Sequence, residues 1–256
     1  MEIGAITSRI DVAQVVLYVF FMFFTGLIFY LRREDRREGY PLVSETDGKP
    51  QSHGFIWLPE PKTFLLADGR KVLAPNRKGD QRTLKAAPGE PWAGAPLRPT
   101  GDPMLAEVGP GSYAERADIA DVTYEGHARI VPLRASGGFT VETRDADPRG
   151  MMMVGADGKM VGKVTDVWVD RSECLIRYLE VGVGTPSRGV LVPMTFCSVN
   201  ASRKRIVVDA ITSAQFTNVP TIKAADSVTL LEEDRIVGYF GAGTLYATAA
   251  RQEPLL

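Results

Sequence analysis

"DGKMVGKVTDVWVDRSECLIRYLEVGV", residues 157–183, decides the fold, because it reads as two β-strands joined by a tight turn. An Asp-Gly pair opens it, and a run rich in β-branched residues follows. A short polar stretch then separates this run from a second apolar one. We therefore predict an antiparallel hairpin of residues 161–170 and 175–183, with its turn at residues 170–173.

The alternation in the first strand is imperfect. Val164 and Val167 would point to opposite faces, which predicts a bulge or two-sided burial near Thr165 and Asp166. Further short runs, "RGVLVPM" and "RIVVDA", follow with Gly, Pro, Ser and Asn between them. Closely spaced strands without intervening helices predict a small antiparallel barrel or sandwich after about Ile130.

The C-terminal part changes to a helical period in "TLLEEDRIVGYFGAGTLYATA", residues 229–249. Thr229 and Glu232 have the spacing of a capping box, and acids fill the first turn. Apolar residues then recur mostly at helical spacing. We predict one helix, at about 230–247, that closes the β domain.

The N-terminal part contains twenty residues, 12–31, with Gln14 as the one strongly polar side chain. As a helix this stretch would be about 30 Å long, the thickness of a bilayer core. A cleaved signal peptide fits poorly, because the apolar run is too long and no small-residue cleavage site follows it. Residues 12–31 are therefore predicted to span a membrane.

The charges beside this stretch predict its orientation. Four arginines follow it directly, whereas Arg9 alone precedes it. By the positive-inside rule, residues 1–11 lie in the periplasm and the bulk of the chain in the cytoplasm. Tyr30 occupies the position of an interfacial aromatic. The membrane-interface set is Tyr30, Arg32, Arg33, Arg36 and Arg37.

Residues 32–130 have a different composition. Eleven of the seventeen prolines and eight glycines fall between Pro41 and Pro110, so neither a long helix nor a central strand can persist there. The stretch could be a linker or an extended segment laid over a partner. Because it retains apolar residues such as Trp57, Phe64 and Trp92, we favour the extended segment on the membrane surface.

Composition limits the chemistry. The net charge is −1, which gives no sign of a nucleic-acid partner. The two histidines, His53 and His127, lie far apart and show no metal-ligand spacing. Cys174 and Cys197 stand among apolar residues and are expected to be reduced, packed thiols. "GVGTPSRG" lacks the Lys-Ser/Thr of a phosphate loop, so a hairpin turn is expected.

The predicted turn holds the most suggestive side chains. A β-turn brings its first and fourth residues within about 7 Å, so Asp170 and Glu173 would be close and one carboxyl pKa would rise. Arg177 lies on an otherwise apolar face, opposite Asp166 or Trp168 depending on register. The simpler alternative is that the turn is acidic because it is exposed.

Several motifs together point to a family. In chain order they are "REGYPL" (37–42), "PKTFLL" (61–66), "PTGDPM" (99–104), "GKVTDVWVD" (162–170), "VPTIK" (219–223) and "VTLLEEDRIVGYF" (228–240). This ordered set, spread over the whole chain, closely resembles the H subunit of the photosynthetic reaction centre of purple bacteria. Residues 155–170 also resemble the opening of a PRC-barrel.

The resemblance implies a subunit that is not an enzyme and binds no pigment. It would cap the quinone side of the L and M subunits, in the intracytoplasmic (chromatophore) membrane, and conduct protons to the secondary quinone. Bacteriochlorophyll, bacteriopheophytin, quinones and non-haem iron would belong to those partners. Membrane lipids would be further partners, and a cytochrome subunit or a light-harvesting ring is left open.

The resemblance also implies proton-transfer residues. Glu173, Asp170 and Arg177 match the family pattern near the secondary quinone, Glu233 matches more loosely, and Asp121 stands where the family has an acid. The family's His-x-His proton entry reads "TYEGHAR" here, residues 123–129. His127 matches it, while Glu125 replaces one histidine, which makes transition-metal inhibition doubtful.

Two other functions stay open on the sequence. A membrane-tethered adaptor could use a PRC-like barrel to bind another cytoplasmic protein, with residues 32–130 as a true linker. An anchored enzyme would need a catalytic site, and no arrangement of nucleophile and base is evident in the sequence.

Overall fold

The structure is a computed structural model that describes residues 10–42, 44, 49–51, 54, 57–67, 69–76, 80, 82–92, 94–184 and 186–252. His53 and most of the predicted periplasmic stretch lie outside these residues. The chain divides into two compact units. The first is Met1–Arg82 with Pro91–Gly94, and the second is Thr83–Glu90 with Ala95–Leu256.

The first unit begins with a long apolar helix, α1 (Val12–Glu34). The side chain of Asp11 caps it by accepting a hydrogen bond of 2.7 Å from the Gln14 N–H. A 3-10 turn, Asp35–Arg37, continues the helix. Within the described part of the chain, this continuous segment is the one helix long and apolar enough to cross a membrane.

The proline-rich segment forms short strand pairs. β1 (Lys62–Leu65) pairs antiparallel with β2 (Lys71–Ala74) in the first unit. β3 (Ala86–Pro88) pairs antiparallel with β4 (Leu97–Pro99) in the second. Short strands are what a proline-rich sequence permits, because each proline removes a backbone donor.

The second unit is built on a seven-stranded sheet. Its strands are β5 (Ile130–Pro132), β6 (Met152–Gly155), β7 (Met160–Asp170), β8 (Leu175–Val183), β9 (Arg188–Pro193), β10 (Cys197–Asn200) and β11 (Arg205–Val208). The order is β10-β11-β6-β7-β8-β9, and β5 pairs with β7. All neighbours are antiparallel except β6 and β11. The mainly β fold is therefore confirmed.

The β7–β8 hairpin is confirmed, with a shift of its turn by one residue. Asp170 pairs with Leu175, so the turn occupies residues 171–174 rather than 170–173. The expected bulge lies at Thr165, where the register shifts between Val164 and Asp166. A second shift, between Trp168 and Val169, was not predicted.

The C-terminal helix is also confirmed, as α2 (Leu230–Tyr246), and both halves of the Thr229–Glu232 capping box are present. Ile236 and Phe240 are fully buried in the core, which α2 shares with the sheet. Trp168 and Phe216 are its other largest fully buried side chains.

The second unit starts before residue 131, where the sequence places the domain boundary. Met104 and Ala106 are buried, and Met104 belongs to the same apolar core as the sheet. The backbone turn Gly109–Gly111 lies against α2, as the close approach of Gly111 to Ala242 shows. Residues 95–130 are therefore part of the β unit.

The cysteines differ from the expectation for two packed thiols. Cys174 is exposed in the β7–β8 turn, where its φ of 54° takes the left-handed region. Cys197 is half-buried against the core. Burial raises the pKa of the Cys197 thiol to about 12, so it stays protonated at neutral pH.

Candidate functional site: an ionisable cluster around Arg129

The site begins at the end of β7, where the Asp170 side chain is 0% exposed. One of its oxygens, Oδ1, accepts hydrogen bonds from the backbone N–H of Ser172 (2.9 Å) and of Glu173 (3.0 Å). The Asp170 carbonyl in turn accepts one from the Cys174 N–H. The turn therefore folds around this carboxylate and supplies backbone donors to it.

Arg129 joins three carboxylates. Its Nε lies 3.0 Å from both oxygens of Asp170, its Nη2 donates to Glu173 Oε1 at 2.6 Å, and its Nη1 donates to Asp121 Oδ2 at 3.2 Å. Arg129 is brought there because β5 pairs with the end of β7, with Ile130 opposite Asp170. The planar guanidinium can hold several acids in a fixed arrangement.

Arg177 is the second cation of the cluster. Its Nε lies 3.3 Å from Asp170 Oδ2, and its Nη2 lies 3.6 Å from Glu173 Oε2. The expected partners across the strands were wrong, since Asp166 pairs with Glu180 and Trp168 with Tyr178. The register shift between Trp168 and Val169 leaves Arg177 without a partner residue across the β7–β8 pair. The Arg177 side chain instead reaches the acids at the end of the hairpin.

The rise in pKa expected for one of the two turn carboxyls is not found at Asp170. Burial acts to raise the pKa of this side chain. The hydrogen bonds from Arg129 and from the two backbone N–H groups outweigh burial and hold the Asp170 pKa below its ordinary 3.8. Arg129, which the sequence argument lacked, lies between the acids and opposes the effect of their proximity on the Asp170 pKa.

A loop leads from this cluster to the surface. The Arg129 N–H donates to the Asp121 carbonyl, and the Thr123 N–H donates to the His127 carbonyl, both at 2.8 Å. Glu125 and His127 lie at the tip and are exposed. The nearby Thr123 side chain, the backbone N–H of Glu125 and, more weakly, His127 lower the pKa of Glu125.

Glu233 extends the set from α2. Its Oε2 accepts a hydrogen bond of 2.9 Å from the hydroxyl of Tyr178, the neighbour of Arg177 in β8. Burial raises the Glu233 pKa, although the Tyr178 hydrogen bond and the charges of Arg177 and Arg116 oppose it. Burial, together with the charge of Glu233, also raises the pKa of Tyr178. Glu233 is thus a partly buried acid, with a raised pKa, beside the Arg129 cluster.

The structure therefore brings four of the sequence candidates together, namely Asp121, Asp170, Glu173 and Arg177. It places Glu233 beside them and puts Glu125 and His127 on the connecting loop. Sequence reasoning missed Arg129 and Tyr178. The signal for Arg129 was weak: it is a charged residue directly before a short apolar run, and only the β5–β7 pairing shows its partners.

A second ion cluster lies further along β7. Arg134 Nη1 donates to Asp166 Oδ2 at 3.0 Å and to Glu180 Oε2 at 2.7 Å. The indole N–H of Trp168 donates to the same Glu180 oxygen at 2.9 Å. Asp166 and Glu180 are paired across the strands, so Arg134 compensates two like charges in direct opposition.

The predicted membrane-interface residues follow α1. Tyr30, Arg32 and Arg33 are exposed, and Arg32 lies 3.6 Å from Asp35. Arg36 lies over the ring of Tyr40. Arg37 is largely buried, because it forms a two-bond ion pair with Glu34.

Among the described residues, no group of three or more His, Cys, Asp or Glu side chains could hold a metal ion.

Together these features define a class: a protein whose described residues include one candidate membrane helix and a β domain that carries a cluster of ion-paired carboxylates around the buried Asp170. Residues 4–135 match the family model of the photosynthetic reaction centre H-chain N-terminal region, and residues 141–215 match that of the PRC-barrel domain. The chain belongs to the photosynthetic reaction centre H-chain family. This family consists of accessory subunits of the reaction centre that bind no pigment.

Proposed function

We propose that the chain caps the quinone side of the L and M subunits and conducts protons to the secondary quinone as light reduces it. The observation that carries this proposal is the Arg129 cluster, which connects an exposed loop with a buried carboxylate in a member of the H-chain family. The residues 12–31 would hold it in the membrane, with the N-terminus in the periplasm and the β unit in the cytoplasm.

The acids would have different roles in proton transfer, because their surroundings differ. Asp170, whose pKa is lowered, stays ionised and keeps a negative charge beside its neighbours. Glu173 and Asp121 are about half and two-fifths exposed, at 49% and 39%, so both can exchange protons with water. Protons would enter at Glu125 and His127, both exposed at the tip of the loop, and pass inward.

Arg129 would position these groups rather than carry protons, because a guanidinium does not deprotonate in proteins. Its three contacts fix the distances between the acids, and a proton can pass between acids that share a donor or a water. The chain would itself bind no cofactor. Bacteriochlorophyll, bacteriopheophytin, quinones and non-haem iron would be held by the L and M subunits.

The test is the variant Glu173→Gln in the assembled complex. Flash-induced proton uptake and the second electron transfer to the quinone should slow by about tenfold or more, because one proton carrier is lost. The matched control is Glu142→Gln, which removes an exposed carboxylate that accepts a hydrogen bond from its neighbour Thr143. The control should leave both rates unchanged.

Unchanged rates in the Glu173→Gln complex between pH 6 and pH 9 would remove Glu173 from the route. Equal slowing in both variants would also contradict the proposal, because it would indicate a general loss of surface charge.

A further inference from the structure

The end of the membrane helix is bonded directly to the β1–β2 hairpin. Arg37 Nη1 donates to the Ala74 carbonyl at 2.9 Å and to the Glu60 carbonyl at 2.7 Å. The same guanidinium forms an ion pair with Glu34, the last residue of α1. Lys62, in β1, also lies 3.8 Å from Glu34. These contacts all lie within the first unit and fix the hairpin at the end of the helix.

This attachment sets the depth of the hairpin in the bilayer. Arg37 is six residues beyond the last apolar residue of the helix, Leu31, which corresponds to about 9 Å along a helix axis. The headgroup layer on each side of the hydrocarbon core is several ångströms thick. Ala74, which Arg37 binds, therefore lies in or beside the headgroup layer, and its neighbour Leu73 lies there with it.

The hairpin is apolar and exposed at this depth. Thr63 pairs with Leu73 and Leu65 with Lys71, so Leu65 and Leu73 share one face. Leu65 is 72% exposed and Leu73 is 51% exposed. Just before the Glu60 carbonyl, Trp57 is 78% exposed. A two-stranded hairpin with both faces open gains little stability of its own, so a partner surface would support it.

Cations are interleaved with these apolar side chains. From residue 62 to residue 74 the chain carries Lys62, Arg70 and Lys71 against the single acid Asp68. Lys71 stands directly opposite Leu65. Protein interfaces are depleted in lysine at their centres. In contrast, apolar and aromatic side chains mixed with lysine and arginine are typical of elements that lie in a membrane interface.

We propose that the β1–β2 hairpin is a second membrane contact, which binds an anionic lipid surface with the face that bears Leu65, Leu73 and Lys71. The apolar side chains enter the boundary between headgroups and acyl chains, and Lys71 binds lipid phosphates. Trp57, three residues before Glu60 and 78% exposed, adds an aromatic side chain close in sequence to the hairpin. The inference requires that α1 spans the membrane, but it does not depend on proton conduction.

Photo-crosslinking of the assembled complex in its native membrane tests this inference. Leu65 or Leu73 is replaced by p-benzoylphenylalanine, the membrane is irradiated, and the adducts are identified by mass spectrometry. Lipid adducts are expected at both positions. The control at Met160, which is 71% exposed at the end of the β6–β7 hairpin in the second unit, should give none. The control at Phe23, inside α1, should give lipid adducts.

Adducts of residue 65 or 73 with another polypeptide, or the absence of lipid adducts there while Phe23 is labelled, would overturn the proposal. Absence of lipid adducts at Phe23 as well would overturn the membrane span itself, and the proposal with it.

The contribution of charge to lipid binding by the hairpin is tested separately. In nanodiscs, the adduct yield at residue 65 should be roughly fivefold higher with phosphatidylglycerol than with phosphatidylcholine. The variant Lys71→Gln, which leaves the contacts of Lys62 with Glu34 in place, should reduce this preference and keep the labelling at Phe23. Equal yields with both lipids in the wild-type protein would contradict the role of Lys71.

Discussion

Arg129 is the side chain on which the arrangement of the acids depends, because it is the cation that contacts Asp121, Asp170 and Glu173 together. The sequence predicted that Asp170 and Glu173 would be close, since four residues of a turn determine that distance. It could not predict Arg129, forty-one residues away from Asp170, because that contact depends on the pairing of β5 with β7. The lowered pKa of Asp170 was not predicted, for the same reason.

Replacing Arg129 with Gln should destabilise the protein at pH 7 by about 2–4 kcal/mol, because a buried carboxylate loses its main ion pair. The difference from wild type should shrink as the pH falls below about 4. Asp170 has a folded pKa below its ordinary 3.8, so its contribution is present above that value and is lost as the pH falls through the folded pKa. Urea unfolding of the full chain in detergent, followed by the fluorescence of buried Trp168, measures this.

The matched control is Arg149→Gln, since Arg149 forms an ion pair of 2.6 Å with Asp147 in which both side chains are about two-fifths exposed. It should change the free energy of unfolding by about 0.5 kcal/mol or less. A loss as small as this in the Arg129 variant would show that the cluster contributes little to stability.

Glu233 should have the opposite pH dependence, because burial raises its folded pKa above the ordinary 4.5. Its contribution to stability is then complete below pH 4.5 and is lost as the pH rises through the folded pKa. The glutamine in Glu233→Gln cannot ionise, so the variant does not lose stability in this way as the pH rises. The stability of the variant relative to wild type should therefore increase between pH 4 and pH 8 in the same unfolding assay. A relative stability that falls over this range would show that Glu233 is better solvated than its burial indicates.

At the scale of the elements, patterns formed by residues close in sequence predicted the structure most reliably. The capping box at Thr229 and Glu232 and the β7–β8 hairpin depend on residues close in sequence, and both are confirmed. The parallel pairing of β6 with β11 and the packing of residues 104–111 with the β unit were not predicted. These contacts join distant parts of the chain, and short apolar runs do not specify their partners.

Helix α2 packs closely on the backbone of residues 109–111. A Cβ added at Gly241 would lie 2.4 Å from the Pro110 carbonyl oxygen. Alanine is intrinsically better than glycine in a helix by about 1 kcal/mol. We nevertheless expect Gly241→Ala to destabilise the protein by about 1–3 kcal/mol, because a backbone atom must move.

Thermal unfolding of the full chain in detergent measures this effect. Val237→Ala, on an exposed part of the same helix, serves as the control and should be nearly neutral. A stabilised Gly241→Ala protein would mean that helix propensity outweighs the close packing.

At the scale of the whole molecule, the sequence resemblance and the family matches agree. The apolar helix, the β unit and the closing helix were all predictable because each has a regular pattern. The structure of residues 32–130 could not be predicted in the same way. Prolines exclude most regular secondary structure, but they do not determine which conformation replaces it. Whether this segment is a linker or lies over a partner is a property of the assembly.

Limited proteolysis separates these alternatives. If the segment lies on the membrane surface and on the L and M subunits, trypsin should cut after Lys71 and Arg82 at least about tenfold more slowly in the assembled complex than in the isolated chain, because cleavage requires local opening. Cleavage after Arg203, in the exposed turn between β10 and β11, serves as the reference. Equal protection in both preparations would favour a free linker, as in the adaptor hypothesis.

The most direct test of the central claim is the near-infrared absorption spectrum of the complex that co-purifies with this chain from its native membrane under mild solubilisation. A subunit that covers the quinone side of the reaction centre should bring bacteriochlorophyll and bacteriopheophytin bands, together with a quinone that a flash reduces. A colourless preparation, with the chain alone or with unrelated proteins, would contradict the account.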